Sequence, residues 1–526
     1  MIVAPEFPRI SDYADWFAAA TPNAVALTLG EERVSDAEVD HAVDRLARAL
    51  LAAGVGKGDR VATLQAPCPD FFIAYLATVS IGAIWLGLNP RYRLAELERA
   101  MRDARPRVLL ARASLGGRDF SPEIATLAAL PGVEATACWG VCTADRTVPM
   151  AAFLAAGEGV PDARLAEARA ACTGRDPCLM VYTSGSTGEP KGALLNHGQI
   201  VDFSRIQNRL WPVSPLAVQN FLPINHIGCV VDLGTPCLLA GGTIHFMEQF
   251  EPLAALKMVE SHRLTLWGSV PSVFALLMAL PEFETIDFSS VQLIVWEGAA
   301  LPDEMLDRLL TIGSPLATNY GMTETTSAIA LMEPTRDRDL LRRSSGRATP
   351  GIEVRIADAG DQPLPDGEPG EVQTRSSLVT LGYWNRPEAT AEAFTADGYF
   401  KTGDIAVRSP DGHLCIVGRL KEMFKSGGYN VYPREVEMVI EAHPAVSLAA
   451  VVPQPDPLWQ ESGVAYVLPH PGVRVEAAEL AGWCRERLAN YKLPKRFEIT
   501  TDIPLLPIGK VDRVALKRRA AALSGC

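Results

Sequence analysis

The chain has 526 residues, of which 48% are hydrophobic and 21% charged, and a formal net charge of −13 at neutral pH. That length exceeds what a single hydrophobic core organises, so two or more domains are expected, and the composition is that of a folded protein rather than a disordered one. The acidic balance argues against nucleic acid or an anionic membrane as a general partner, while leaving room for a local basic site that takes a phosphorylated ligand. Ten cysteines are scattered from Cys68 to Cys526 without a C-x-x-C pair. Such a pattern suits reduced thiols in a cytoplasm better than a disulfide framework or a zinc site. No basic segment followed by an apolar run opens the chain, so no signal peptide is expected.

From residue 24 to 112, strand-like runs alternate with helical patterns. Residues 24–29 and 60–64 read as strands, and 35–53 as an amphipathic helix capped by Ser35 and stopped at Gly54. Residues 71–88 are free of charge and long enough to approach a membrane span. Ser80, two glycines and the flanking prolines favour instead a helix buried between sheets. Residues 94–104 form a further helix and 108–111 a short strand; this alternation is the mark of an α/β sheet covered by helices. The Ala-rich text of 114–175 yields only connecting helices and loops.

Residues 179–182 end a buried strand, and the chain then turns polar at once: Thr183, Ser184, Gly185, Ser186, Thr187, Gly188, then Lys191. Hydroxyls among glycines expose backbone N–H groups in a nest that suits phosphate oxygens, and the lysine adds a movable charge. It is not a Walker A loop, because no Ser or Thr follows the lysine. A helix over 197–209 leads to a strand ending in the polar turn around His226. Residues 264–267 and 293–295 are short strands, and 317–324 repeats the theme. Polar residues therefore collect where apolar strands end, the place open α/β sheets put ligands. From Gly351 onward, short alternating runs at 353–356 and 370–374 with Asp-Gly turns suggest a β-rich subdomain. A boundary falls near 417–421, followed by a helix over 433–442, strands at 447–453 and 463–468, and a helix over 477–488. The fold class expected is α/β: a large N-terminal domain of helix-covered sheets plus a β-rich subdomain, with a small mobile α+β lid.

Seven blocks in fixed order carry a resemblance that spans nearly the whole chain: Tyr182-Thr-Ser-Gly-Ser-Thr-Gly-Glu-Pro-Lys-Gly192, Pro223-Ile-Asn-His226, Tyr320-Gly-Met-Thr-Glu324, Gly382-Tyr-Trp-Asn-Arg-Pro387, Thr402-Gly-Asp404, Gly418-Arg-Leu-Lys421 and Pro507-Ile-Gly-Lys510. The chain resembles the adenylate-forming enzymes, which include acyl-CoA synthetases, peptide-synthetase adenylation domains and luciferases, and is closest to the acyl-CoA synthetases. The resemblance implies a ligase that makes acyl-AMP and pyrophosphate from ATP and a carboxylic acid, then transfers the acyl group to coenzyme A. It implies residues 1–418 as the domain for ATP and the acyl group, 419–421 as hinge, and 422–526 as the lid.

Residue roles follow from the same resemblance. The 183–191 loop would hold the leaving pyrophosphate, Thr323 the α-phosphate and Glu324, a hard oxygen ligand, Mg²⁺. Asp404 would accept both ribose hydroxyls with Arg419 assisting, and Tyr320 would stack on adenine. Gly298, Ala299 and Ala300 would let the base approach the backbone, with Asn319, Gly321 and Met322 completing the nucleotide site. Lys510 would bridge the carboxylate and the α-phosphate, and Lys421 would be the hinge about which the lid swings. Ser426, Gly427, Gly428 and Tyr429 would then meet the pantetheine arm of coenzyme A. His226 would orient the acid beside an acyl pocket that also draws on Trp267, Trp296, Glu297 and Met322.

Two departures bear on the acid. Trp296-Glu297 stands where the family has a pair of small residues, which argues against a plain alkyl tunnel if Trp296 faces inward. Asn225 precedes His226 with no carboxylate adjacent, so an amino-acid substrate is disfavoured. The expected acid is a hydrophobic medium-size fatty, aryl or alicyclic monocarboxylate. Competing readings are an acyl-AMP ligase that loads a carrier-protein phosphopantetheine and a catalytically silent nucleotide-binding regulator. A cytoplasmic enzyme is expected, with a homodimer open by analogy only.

Overall fold

The structure, a computed structural model, describes residues 3–184, 190–426, 429–505 and 511–524. Among them, parallel and mixed sheets fill the first two-thirds of the chain. A seven-stranded sheet runs in the order Pro190–Asn196, Pro177–Ser184, Ile84–Leu88, Arg60–Leu64, Val108–Arg112, Ala135–Trp139 and Val148–Pro149. Its inner strands are buried on both faces, as parallel strands flanked by helices must be. A five-stranded sheet follows the order Leu266–Ser269, Leu293–Trp296, Leu316–Met322, Ser327–Leu331 and Arg347–Ala348, with its first three strands parallel. A four-stranded sheet of 25–35, 217–220 and 243–246 lies beside it, joined at Thr265, whose N–H donates to the Ala217 carbonyl at 3.0 Å.

Local chemistry sets the helix ends. Helix Asp36–Ala52 starts with a reciprocal cap: the Ser35 N–H donates to Glu38 Oε2 at 2.8 Å, and the Glu38 N–H returns to Ser35 Oγ at 3.4 Å. Asn196 and Gln199 cap helix His197–Leu210 in the same way, with both bonds at 2.8 Å. That cap fixes where the hairpin formed by the strands on either side of 185–189 hands over to the helix.

Residues 71–88 are not one helix. Helix Pro69–Ser80 ends, Gly82 takes φ +76°, and Ile84–Leu88 continues as a buried strand. Phe71, Phe72, Tyr75 and Trp85 pack there against Phe246 and one another in a shared core. No helix among the described residues is long and apolar enough to cross a membrane. The reading of 114–175 also needs correction, because Ala135–Trp139 is a strand parallel to Val108–Arg112. Its Ala-Thr-Ala text has little intrinsic β preference, and its place at the sheet's side decides the matter.

The β-rich subdomain is an antiparallel sheet of Glu353–Ala357, Gly370–Arg375, Phe400–Arg408 and Leu414–Arg419. Beyond it, the smaller C-terminal domain folds around the long hairpin Val446–Asp456 and Gln460–Pro469, with helices Pro433–Glu441, Ala477–Arg485 and Arg513–Ser524 around it. Its interior holds an ionic network: Glu437 accepts from Arg513 at 2.7 and 3.0 Å, while Arg513 also reaches Glu422 at 3.0 Å. A buried pair of this kind is costly to break, since loss of one partner leaves a bare charge.

Candidate active site

The parallel strands Leu266–Ser269, Leu293–Trp296 and Leu316–Met322 stop at one edge, and the site forms there. The third strand passes through the turn Thr323–Thr325 into Ser327–Leu331. This hairpin closes so tightly that a Cβ on Gly321 would stand 1.8 Å from the Ser327 carbonyl oxygen. Only glycine fits, and Thr326 and Ser327 turn the chain at φ 53° and 88°. The turn carries Thr323 and Glu324, both buried.

Glu324 meets the phosphate-loop hairpin directly. Its Oε1 accepts from Thr183 Oγ1 at 3.0 Å and from the Tyr383 hydroxyl at 3.0 Å. Lys191, cross-strand partner of Thr183, places its ammonium 5.0 Å from the centre of the Tyr383 ring. Tyr383 is pushed well above the usual phenol range, first by burial and then by the Glu324 charge. It therefore stays a hydrogen-bond donor. The residues have the chemistry that a divalent cation shared with phosphate oxygens demands: one fixed carboxylate, with water and phosphate left to complete the shell. Among the described residues there is no three-ligand cage of His, Cys, Asp or Glu.

A second cluster lies on the β-rich side. Asp404 is buried; its Oδ1 pairs with Arg419 Nε at 2.8 Å, and its Oδ2 accepts from the Tyr320 hydroxyl at 3.0 Å. Tyr320 is raised well above the phenol range by burial and by Asp404. Gly298 leaves the neighbouring strand end at φ +83°, and Ala299 and Ala300 are exposed beside it. Asn319 turns its amide the other way and donates to Glu297 Oε1 at 2.9 Å.

Elsewhere the expected residues distribute unevenly. His226 is exposed, and its Nδ1 accepts the Gly228 N–H at 3.1 Å, which leaves Nε2 as the outward nitrogen. Asn225 donates to the Tyr92 hydroxyl at 3.0 Å. Lys421 is exposed in the short turn Leu420–Glu422. Ser426 is buried, and Tyr429 is exposed with its ring stacked on Tyr491 at 4.6 Å. Gly185, Ser186, Thr187, Gly188, Gly427, Gly428 and Lys510 lie outside the described residues, as does the side chain of Ser184.

The acyl-pocket expectation is corrected at two positions. Trp267 and Trp296 alternate out of register with the site face and point, with Ile294 and Leu316, into the core under helices Pro252–Ser261 and Pro271–Met278. Trp267 has no exposed surface; its ring packs at 4.9 Å from Phe274 and 5.2 Å from Phe288. Ile224, Cys229 and Val230 are likewise core. Gly268, Glu297 and Met322 remain half-buried at the strand ends.

Two functional candidates escaped the sequence reading. Tyr383 sat inside the quoted Gly382-to-Pro387 block without a role, and that block was the signal. Asp232 gave none: it is brought to the site by the π-helical turn Gly228–Gly234, whose wider pitch no hydrophobic period reveals. A Cβ on Gly228 would meet His226 Nδ1 at 3.2 Å and Asp232 Oδ2 at 3.8 Å. A carboxylate therefore does stand near His226, contrary to the expectation from Asn225 alone. Burial pushes Asp232 up to about 6 against the pull of a Ser327 hydrogen bond. Burial and the Asp232 charge push Glu297 up to about 8, with the Asn319 hydrogen bond opposing.

Comparison with known proteins matches residues 14–384 to the AMP-binding enzyme family and residues 435–510 to the AMP-binding enzyme C-terminal domain. The chain is 35% identical to a feruloyl-CoA synthase of Amycolatopsis sp, covering 95% of this chain and 97% of that one. It is 31% identical to an indoleacetate–CoA ligase of Aromatoleum aromaticum, covering 98% of each. Among solved structures, an amide bond synthetase, McbA, from Marinactinospora thermotolerans superposes with a TM-score of 0.83 at 29% identity, over 97% of this chain and 99% of that one. With its strand-end site and ordered blocks, the chain belongs to the AMP-binding, adenylate-forming enzyme family and is a ligase of the acyl-CoA synthetase type.

Proposed function

We propose that the protein joins ATP to a carboxylic acid, releasing pyrophosphate, and passes the resulting acyl-adenylate to coenzyme A. Attack of the carboxylate on the α-phosphorus builds negative charge on phosphate oxygens, which preorganised donors and cations must meet. Thr183, Ser184, Gly185, Ser186, Thr187, Gly188 and Lys191 hold the departing β,γ-phosphates. Thr323 takes the α-phosphate, Asp404 and Arg419 the ribose, and Tyr320 with Gly298, Ala299 and Ala300 the base. Glu324 holds Mg²⁺, which when bound neutralises charge on the phosphates. His226 orients the acid, and Lys510 bridges acid and α-phosphate when residues 422–526 close over residues 1–418. Rotation about Lys421 then brings Ser426, Gly427, Gly428 and Tyr429 to the thiol arm, since a hinge needs only to absorb a torsion change.

One observation carries the reading: Glu324 is bound on one oxygen by Thr183 of the phosphate-loop strand and by Tyr383, with Lys191 against the same ring. A carboxylate, a hydroxyl, a phenol and an ammonium thus converge at the loop that sequence marks for phosphate. The substrate is a hydrophobic monocarboxylate of medium size, with an aromatic acid favoured by the feruloyl- and indoleacetate-CoA-forming relatives. Acid-dependent pyrophosphate release without coenzyme A, and thioester only after coenzyme A is added, is the expected result with an aryl, alicyclic and fatty acid panel. No pyrophosphate with any acid would overturn the reading. Since one neighbour is an amide bond synthetase, amines offered in place of coenzyme A separate the acceptors.

A further inference from the structure

Asp232, near His226, accepts from Ser327 yet keeps one carboxyl oxygen unpaired. Asp232 is 5% exposed, and its Oδ1 has no hydrogen-bond partner among the described residues. Glu297 stands at the end of the neighbouring strand, where the Asn319 amide donates to its Oε1 at 2.9 Å and the Asp232 charge helps to raise its pKa. Among the described residues no Lys or Arg pairs with either carboxyl. Burying such groups without a partner is costly, and a carboxylate kept in that condition at a binding edge is a mark of ligand recognition rather than of folding.

Two glycines, Gly268 and Gly228, lie at this edge. Gly268, cross-strand neighbour of Val295, is half-buried, and a Cβ there would make ordinary contacts with Leu266 Cδ2 at 3.5 Å and the Val295 carbonyl oxygen at 3.7 Å. A Cβ on Gly228 would meet Leu222 Cδ1 at 2.9 Å, His226 Nδ1 at 3.2 Å and Asp232 Oδ2 at 3.8 Å. The Asp232 carboxyl therefore lies beside His226, the residue proposed to orient the acid.

We infer that Asp232 and Glu297 form a polar subsite selecting carboxylic acids that carry a hydrogen-bond donor, a hydroxyl or N–H, on their ring or chain. The inference rests on the acid-activating reading of this site. An occupant with a donor completes the acceptor capacity of Asp232 Oδ1; a purely hydrocarbon acid buries that oxygen still unpaired. Sites built to bond a substrate hydroxyl discriminate strongly against analogues that lack it, because their own polar groups are left bare.

The test uses the full-length protein with ATP, Mg²⁺ and matched acids: cinnamate, its 2-, 3- and 4-hydroxy forms and their methyl ethers, and octanoate with 8-hydroxyoctanoate. Pyrophosphate release is the readout. At least one hydroxy acid is expected to exceed both its parent and its methyl ether by tenfold or more in kcat/KM. Asp232→Leu should bring that ratio to within about threefold. Asp232→Asn, which keeps the shape and adds a donor, should shift preference toward the methyl ether. Parents and ethers that match every hydroxy acid in the wild-type protein would overturn the inference, as would a ratio that survives both variants. Should the variants fail to fold, the wild-type series decides alone. Pyrophosphate from no acid at all would instead remove the acid-activating reading, and this subsite with it.

Discussion

Glu324 takes two donors on one oxygen, Thr183 Oγ1 and the Tyr383 hydroxyl, each at 3.0 Å. A carboxylate fixed in this way presents its charge in a single direction, which is what phosphate-bound Mg²⁺ requires. Removing one donor should loosen that direction without removing the charge. Tyr383→Phe is therefore expected to lower kcat/KM for ATP in pyrophosphate release about tenfold, ~1.4 kcal/mol, and to raise the Mg²⁺ requirement. Thioester formation from supplied acyl-adenylate should stay within about twofold. An unchanged ATP and Mg²⁺ dependence would show that the phenol does not position Glu324.

Glu297 gives a second residue-scale prediction, with a definite sign. Its folded pKa, about 8, lies above the ordinary carboxylate value of 4.5. Stability linked to this group is therefore fully present below pH 4.5 and is lost as pH rises through 8, on the order of 3–5 kcal/mol for the whole shift. Glu297→Gln removes the titration. Its melting temperature should match the wild type near pH 5 and exceed it by several degrees at pH 8.5, at roughly 2–4 °C per kcal/mol. A difference that does not change with pH would contradict the assignment. A strand-end carboxyl that weakens the fold at neutral pH is consistent with a residue kept for binding.

At the scale of elements, the alternation along a strand decides what a side chain does. In Leu293–Trp296, residues Leu293 and Val295 join one core and Ile294 and Trp296 the other. Both faces are buried, so the sequence reads as an unbroken apolar run and period 2 leaves no trace. This is why the direction of Trp296 and Trp267 was not legible, although the strands themselves were. The helix from residue 35 was legible with its cap, because Ser35 advertises it in the text, whereas the Asn196 cap was not read. The Ala135–Trp139 strand was not, because its neighbours rather than its residues make it one. The hairpin ends holding Thr183, Lys191, Thr323 and Glu324 were legible through their blocks. Asp232 was hidden by a π-helical register.

The corrected position of Trp267 is testable. With no exposed surface, Trp267→Ala opens a cavity among Phe274, Phe283 and Phe288 and should cost about 3–5 kcal/mol of stability. The ranking of acids by kcat/KM should remain within about threefold. A re-ordered acid preference with an unaltered melting temperature would put this ring back in the acyl pocket.

At the scale of the whole molecule, the proposed reaction would use two domains in turn. The smaller domain is tied to its own hinge-side turn by Arg513, which pairs with Glu422 as well as with buried Glu437. In the proposed rotation such a link would carry the domain as one body, with the torsion change confined to residues just before it. We propose that Lys510, assigned from its sequence block, serves the adenylation half-reaction alone. Lys510→Ala should lose at least a hundredfold in acid-dependent pyrophosphate release, yet still form thioester from supplied acyl-adenylate and coenzyme A. Equal loss in both half-reactions would mean that the two postures share the lysine.

The central claim is that the loop between Thr183 and Lys191 holds a departing pyrophosphate rather than a transferred γ-phosphate. The most direct measurement is the nucleotide inventory after reaction with ATP labelled in the adenine ring, Mg²⁺, coenzyme A and an accepted acid. The account predicts AMP in one-to-one proportion with thioester and no ADP. Acid-dependent ADP and inorganic phosphate would contradict it.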